Sequence, residues 1–232
     1  RGKKVITIDP AAHTATLDDG SVWQYEKLLL ATGGEAKLPE RLEAIPHVLR
    51  FRTLEDAEAI RREVTRLATL PEKQRRAAVV GGGFIALEFP PFFAPHGIET
   101  HLLLRGPRYW YNTISEEGSA VIEKIFTDHG VVIHRATEVT AASPVDDGLT
   151  LTLSDGSMLA VGAVGVGTGI TCVPACAASA GVATGKGILV NEFLETDVSD
   201  IFAAGDDAEF PDPLAGHRRL LGNWLNADQQ GR

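Results

Sequence analysis

Three groups of residues in this 232-residue chain could do chemistry. The first is Gly81-Gly82-Gly83-Phe84-Ile85-Ala86-Leu87-Glu88, a G-x-G-x-x-A run directly after the short apolar segment Ala77 to Val80. Gly81 permits a tight turn, Gly83 lets backbone approach a pyrophosphate, and the small Ala86 lets a helix pack closely on the strand. Backbone N–H groups at such a turn suit phosphate. The second is the end of the next apolar segment, Glu99 to Leu104, where a carboxylate would accept a ribose 2′-hydroxyl. Here Leu104 is followed by Arg105 and Arg108. A guanidinium suits a 2′-phosphate by charge and fork geometry; two solvated surface arginines are the alternative. The third is Ile201-Phe202-Ala203-Ala204-Gly205-Asp206. A carboxylate at that strand end either accepts a sugar hydroxyl or caps a helix.

Other chemistries lack their residues. The seven histidines show neither H-x-x-x-H nor H-E-x-x-H spacing, so no metal site is expected. His129 and His134 flank a strand start and are expected at the surface. No serine nucleophile elbow is present. Cys172 and Cys176 read as two small buried thiols or as a redox pair around Pro174.

These groups must be held by elements, and the elements repeat. His13 to Gly33 and Leu149 to Gly169 align without a gap at an offset of 136. Each copy alternates, turns at Asp-Gly (Asp19-Gly20, Asp155-Gly156), and enters an apolar strand that stops at Thr-Gly (Thr32-Gly33, Thr168-Gly169). The glycine run precedes the second copy. Its counterpart for the first copy would fall before residue 1, so one nucleotide-binding head is expected to be missing. Thr53 to Leu70 reads as an amphipathic helix with a capping-box start at Thr53 and Asp56 and an apolar stripe of Leu54, Ala57, Ile60, Val64 and Leu67. A second helix is expected from about Ser115 to His129, ending at Gly130. Pro90, Pro91 and Pro95 fall where the helix after the glycine run should continue, which predicts a kinked helix or an unreliable stretch of sequence.

Composition bounds the rest. A hydrophobic share of 44 % supports a packed core, and a net charge of −9 argues against nucleic acid or an anionic membrane as partner. Two cysteines fit a reducing, cytoplasmic setting. Ser157 to Gly185 carries no charge but is broken by glycines and Pro174, which reads as a buried strand and loop, not a membrane span. The chain begins with Arg1 and shows no signal peptide, so it reads as starting inside a longer protein.

Leu28-Leu29-Leu30-Ala31-Thr32-Gly33-Gly34, Gly81 to Glu88 and Ile201 to Asp206, with weaker support from Asn223-Trp224 and Gln230-Gly231, resemble the pyridine nucleotide–disulfide oxidoreductase superfamily. Within it the chain is similar to ferredoxin and rubredoxin reductases and to apoptosis-inducing-factor-like proteins. The resemblance implies an α/β fold of two Rossmann-like domains with three-layer β-β-α character. An NAD(P)-binding domain (51–166) would interrupt an incomplete FAD domain (1–50 and 167–232). It implies that Thr32 and Gly33 lie at the crossing between the domains and that Gly205 and Asp206 contact FAD. It also implies that Phe84 sits by the nicotinamide, Glu88 near the flavin edge and Trp224 by the isoalloxazine. Gly81, Gly83, Ala86, Arg105, Arg108 and Gly167 would face the cofactors, and Ala86 with Arg105 matches members that prefer NADP. The implied activity is hydride transfer from NAD(P)H to FAD and electron transfer onward to a protein such as a ferredoxin or to a small acceptor. Whether the protein is a homodimer or part of a larger complex stays open. The departures at Phe89 to Pro95, Tyr109 to Tyr111 and Thr168 to Ala178 keep open a non-catalytic subunit with an assembly or redox-sensing role.

Overall fold

A computed structural model describes residues 2–172 and 174–232; Arg1 and Val173, the latter inside the Cys172–Cys176 spacing, lie outside the described residues. The fold is α/β. The chain divides into two compact units, Ala36–Gly169 and a second made of Arg1–Glu35 with Ile170–Arg232. The sequence placed the boundaries at 50/51 and 166/167. The inserted unit is longer because Val48–Leu49 pairs in parallel with Ala163–Val166. Lys37 is also bonded to the other end of the insert, its N–H donating to Gly169 O at 2.9 Å and its carbonyl accepting from Thr168 Oγ1 at 2.6 Å.

Within Ala36–Gly169, five parallel strands lie in the order Val48–Leu49, Ala163–Val166, Arg76–Val80, Glu99–Leu103, Val132–His134, among the described residues. Such strands are covered on both faces and so read as unbroken apolar runs. Their side chains alternate between two layers. Ala77, Val79, Leu102 and Leu104 pack with Ile60, Val64 and Leu67 of helix Leu54–Thr69 and with Phe126 of helix Glu116–Asp128. Ala78, Leu103, Val164 and Val166 pack with Leu149, Leu151 and Leu153 of an antiparallel sheet formed by Val139–Val145, Gly148–Leu153 and Met158–Val161. Helices, parallel sheet and antiparallel sheet therefore make the expected three layers. The Thr53/Asp56 capping box forms with both of its hydrogen bonds. The stripe is shorter than expected: Leu54 is 72 % exposed, because the first helical turn overhangs the core.

The helix after the glycine loop is segmented. Phe84–Glu88 ends, and a second helical stretch, Pro90–Phe93, carries prolines at its first positions, where no helical N–H partner is required. Phe89, Pro90 and Phe93 are all buried, so the break packs as core.

The other unit holds an antiparallel sheet of Val5–Asp9, Thr14–Leu17 and Val22–Gln24 and a parallel pair, Leu28–Leu30 with Ile201–Ala203. Its core gathers Ile8, Leu30, Ile188, Ile201, Ala203 and Ala208 with Ala177 and Ala180 of helix Ala175–Ala180.

The repeat is present in three dimensions. Val5 pairs with Leu17 and Val139 with Leu153, and each first strand has an irregularity at its next step. In both turns the serine two residues after the aspartate donates N–H and Oγ–H to that aspartate, Ser21 to Asp19 and Ser157 to Asp155. Lys3 beside Asp19, followed by the Ser21 bonds, lowers the Asp19 pKa to about 2, and the Ser157 bonds lower that of Asp155. Gly20 and Gly156 adopt φ of +80° and +83°.

Among the described residues no helix is long and apolar enough to cross a membrane, and no group of His, Cys, Asp or Glu is arranged to hold a metal.

Candidate functional site

The glycine loop joins strand Arg76–Val80 to helix Phe84–Glu88. Gly81 has φ +135°, which side-chain-bearing residues rarely adopt. A Cβ on Gly81 would lie 2.2 Å from Gly167 O, and one on Gly167 would lie 2.5 Å from the Ala86 N. Gly81, Ala86 and Gly167 are thus in backbone contact, which lets the loop seat on the sheet. Gly83 differs: a Cβ there meets nothing within 4 Å. That open face leaves the backbone accessible from the cleft.

The departure at Tyr109-Trp110-Tyr111 supports the loop. Tyr109 is fully buried and its hydroxyl donates to Gly83 O at 2.6 Å. Burial, with Glu88 as a lesser cause, pushes its pKa well above the usual phenol range. Trp110 stacks edge-on against Phe84, with ring centroids 4.2 Å apart.

A cleft of about 480 Å³ opens over the loop. Gly81, Gly83, Arg105, Arg108 and Gly167 all line it, joined by Lys37, Arg41 and Glu138, which sequence reading passed over. Leu104, at the position where an acid was sought, is 2 % exposed. Arg105 is exposed and has no hydrogen-bond or ion-pair partner among the described residues. Arg108 is committed to the scaffold: its Nη1 donates to Ile114 O, Ser115 O and Ser119 Oγ, and its Nη2 to Tyr111 O. Phe84 and Glu88 sit on the helix that starts at the loop, both exposed, and neither lines the cleft.

In the other unit, Thr32 and Gly33 are held by Asp207. Its Oδ2 accepts from Thr32 N at 2.5 Å, Thr32 Oγ1 at 2.8 Å and Gly33 N at 3.2 Å. Asp207 is fully buried and its Oδ1 has no hydrogen-bond partner among the described residues. Burial raises its pKa even against those three bonds. Sequence reading stopped at Asp206, which is half-buried in the same Gly205–Asp207 turn. The doubled aspartate was the available signal. Gly205, at φ +74°, donates its N–H to Gln230 Oε1 at 2.7 Å, which ties in the final helix Trp224–Gln230. Trp224 is 90 % exposed.

His129 is exposed as expected, whereas His134 is only partly exposed. Its Nε2 lies 3.0 Å from Nδ1 of His101, whose Nε2 lies 3.0 Å from Glu99 Oε1. His101 is 7 % exposed. Adjacent parallel strands bring these residues together, so local spacing carried no hint of it. Cys172 and Cys176 are buried thiols with no disulfide between them, and burial raises the Cys176 pKa.

Known proteins match this arrangement. The pyridine nucleotide-disulphide oxidoreductase family profile matches residues 1–231. The ferredoxin reductase subunit of a 5,5'-dehydrodivanillate O-demethylase from Sphingobium sp. is 32 % identical over 100 % of this chain and 55 % of its own length. The ferredoxin--NAD(+) reductase component of a p-cumate 2,3-dioxygenase system from Pseudomonas putida is 31 % identical over 97 % of this chain and 54 % of its own. The crystal structure of the ferredoxin reductase for the CYP199A2 system of Rhodopseudomonas palustris superposes with a TM-score of 0.91 at 28 % identity, covering 99 % of this chain and 56 % of that one. The chain spans about half the length of the curated relatives it matches. With the glycine loop, its cleft and the repeated strand-and-turn units in place, the chain belongs to the pyridine nucleotide-disulphide oxidoreductase family.

Proposed function

We propose that the chain is the dinucleotide-handling part of an FAD-dependent NAD(P)H oxidoreductase that passes electrons to a ferredoxin-like protein or a small acceptor. The cleft over the Gly81–Gly83 loop carries this reading, because an open Gly83 and flanking cations fit a pyrophosphate-containing ligand. In this reading Ala36–Gly169 is the NAD(P) unit, and the unit split around it holds part of the FAD site.

The residues fit both cofactors. Gly81, Gly83 and Ala86 would hold the nicotinamide dinucleotide. Thr32, Gly33, Gly205 and Asp206 would meet FAD, their backbone fixed by Asp207 and Gln230. A bound flavin supplies two-electron acceptance from a nicotinamide and onward release to an acceptor. The protein's own part is alignment: Phe84, buttressed by Trp110, would flank the nicotinamide, with Glu88 one helical turn on. Trp224 would lie near the flavin ring. The break at Pro90 lies beyond the loop and buried in the core, so the prolines leave the loop intact.

Arg105 favours NADPH over NADH, since it is uncommitted and follows a strand end that carries no acid. Arg108, tied into its own loop, supports that wall of the cleft. The test is anaerobic titration of the flavin-loaded protein with NADPH and with NADH, followed in the visible spectrum. Bleaching of the flavin band by either nucleotide is expected, at lower concentration with NADPH. A flavin that neither nucleotide reduces overturns the oxidoreductase reading. A preference for NADH overturns only the role of Arg105.

A further inference from the structure

Arg41, Arg105 and Glu138 all line the cleft, and only Arg105 is accounted for above. The segment carrying Glu138 runs beside the one carrying Arg105: Ala136 N–H donates to Gly106 O at 2.9 Å and Thr137 N–H to Leu104 O at 2.8 Å. Glu138 itself is pinned, its N–H donating to Ser154 Oγ and its carbonyl accepting from Ser154 N–H. Arg41 comes from the short helical turn Glu40–Leu42, anchored by Leu42, which is fully buried. The two side chains face each other at 3.6 Å, each about half exposed. That is an ion pair without hydrogen-bond contact, in reach of solvent and easily exchanged for a better anion. Among the described cleft residues Glu138 is the one carboxylate, against Lys37, Arg41, Arg105 and Arg108.

We infer that the part of the cleft where the Glu138 segment runs beside Arg105 is a phosphomonoester subsite in which Arg41 is the second cation and Glu138 the residue that sets selectivity. The inference rests on the reading of the cleft as a dinucleotide site. In the absence of nucleotide Glu138 holds Arg41. A ribose 2′-phosphate displaces it, takes Arg41 together with Arg105, and leaves Glu138 as a nearby like charge. A nucleotide with a free 2′-hydroxyl has nothing to offer Arg41 and leaves the pair closed. Glu138 therefore opposes the phosphorylated nucleotide specifically, and Arg41 favours it specifically.

Calorimetric titration of the protein with adenosine 2′,5′-bisphosphate and with adenosine 5′-monophosphate at low ionic strength tests this. In the unsubstituted protein the bisphosphate binds more tightly. Glu138→Gln tightens the bisphosphate several-fold and leaves the monophosphate unchanged. Arg41→Ala weakens the bisphosphate roughly tenfold, the loss of one charge-assisted contact, and again spares the monophosphate. The double variant binds the bisphosphate more tightly than Arg41→Ala alone but more weakly than Glu138→Gln alone, because Glu138 opposes the phosphate both by holding Arg41 and by its own charge. Equal effects on both nucleotides, or none from Glu138→Gln, overturn the inference while the dinucleotide reading stands. Failure of both nucleotides to bind the unsubstituted protein overturns that reading as well. Unaltered thermal melts of the variants confirm that the exposed substitutions leave the fold intact.

Discussion

Substituting Gly167 by Ala tests the backbone contact on which the glycine loop rests. Gly167 is buried, and its N–H donates to Val80 O at 2.9 Å. Its φ is not in the left-handed region, so alanine fits the backbone and the penalty is steric. The new Cβ would sit 2.5 Å from Ala86 N, 2.9 Å from Ala86 Cα and 3.0 Å from Ile85 C. These are backbone atoms at a helix start and cannot swing aside. Relief requires the helix to move off the strand by about 1 Å, towards ordinary contact distances near 3.5–4.0 Å. Overpacking of this kind costs about 1–3 kcal/mol. For a chain of this size that lowers Tm by roughly 2–12 °C. A displacement of about 1 Å at the loop also weakens nucleotide handling by up to about 100-fold. Gly83→Ala is the matched control. Its Cβ meets nothing within 4 Å and points into open space, so it should cost at most about 1 kcal/mol while obstructing the nucleotide. Circular-dichroism melts and a fluorescence titration with NADPH separate the two. The reasoning is refuted if Gly167→Ala melts and binds like the unsubstituted protein, or if Gly83→Ala loses as much stability as Gly167→Ala.

Asp207→Ala should destabilise by about 2–4 kcal/mol, since three donors lose their acceptor and only the exposed Thr32 rehydrates easily. Burial raises the Asp207 pKa, so the native state holds its proton more tightly than the unfolded chain. Its contribution to stability therefore improves as pH falls from neutral towards the ordinary carboxylate range, and Asp207→Asn should remove that slope in urea unfolding at several pH values. His101 has the opposite sign: burial lowers its pKa, the unfolded chain takes the proton first, and stability is lost as pH falls below 6.5. His101→Gln should flatten that loss, and an unchanged slope would contradict the burial argument. Thr53→Ala removes the acceptor for Asp56 N–H and should cost about 0.5–2 kcal/mol in a thermal melt.

What could be read from the sequence was local. The Asp-Gly turns follow from side-chain bonds two residues long, so Asp19 and Asp155 announce both hairpins. Gly81, Gly83 and Ala86 identify the loop because each answers a backbone demand within one turn of chain. Leu54 misled because a helical stripe marks the core-facing side without saying where the core ends. Asp207 was missed because its partners Thr32 and Gly33 lie at sequence separations of 175 and 174. The His101–His134 contact depends on which strands become neighbours, and Glu138 on where the 136–138 segment runs beside Leu104. Such meetings are decided by topology, which no short window of sequence encodes.

The break at Pro90 and Pro91 has an electrostatic consequence. Aligned peptide units, with dipoles of about 3.5 D each, leave a partial positive charge at the first turn of a helix. Phe84–Glu88 is five residues long, and two prolines without N–H groups interrupt the ladder behind it. The loop therefore stands at the head of a short segment, and in the proposed function much of the attraction for phosphate falls to solvent-facing side chains such as Arg105 and Lys37. Charges of that kind are screened within about 10 Å at 0.1 M salt. In the proposed function, nucleotide affinity would accordingly depend on the ionic surroundings as much as on the fold.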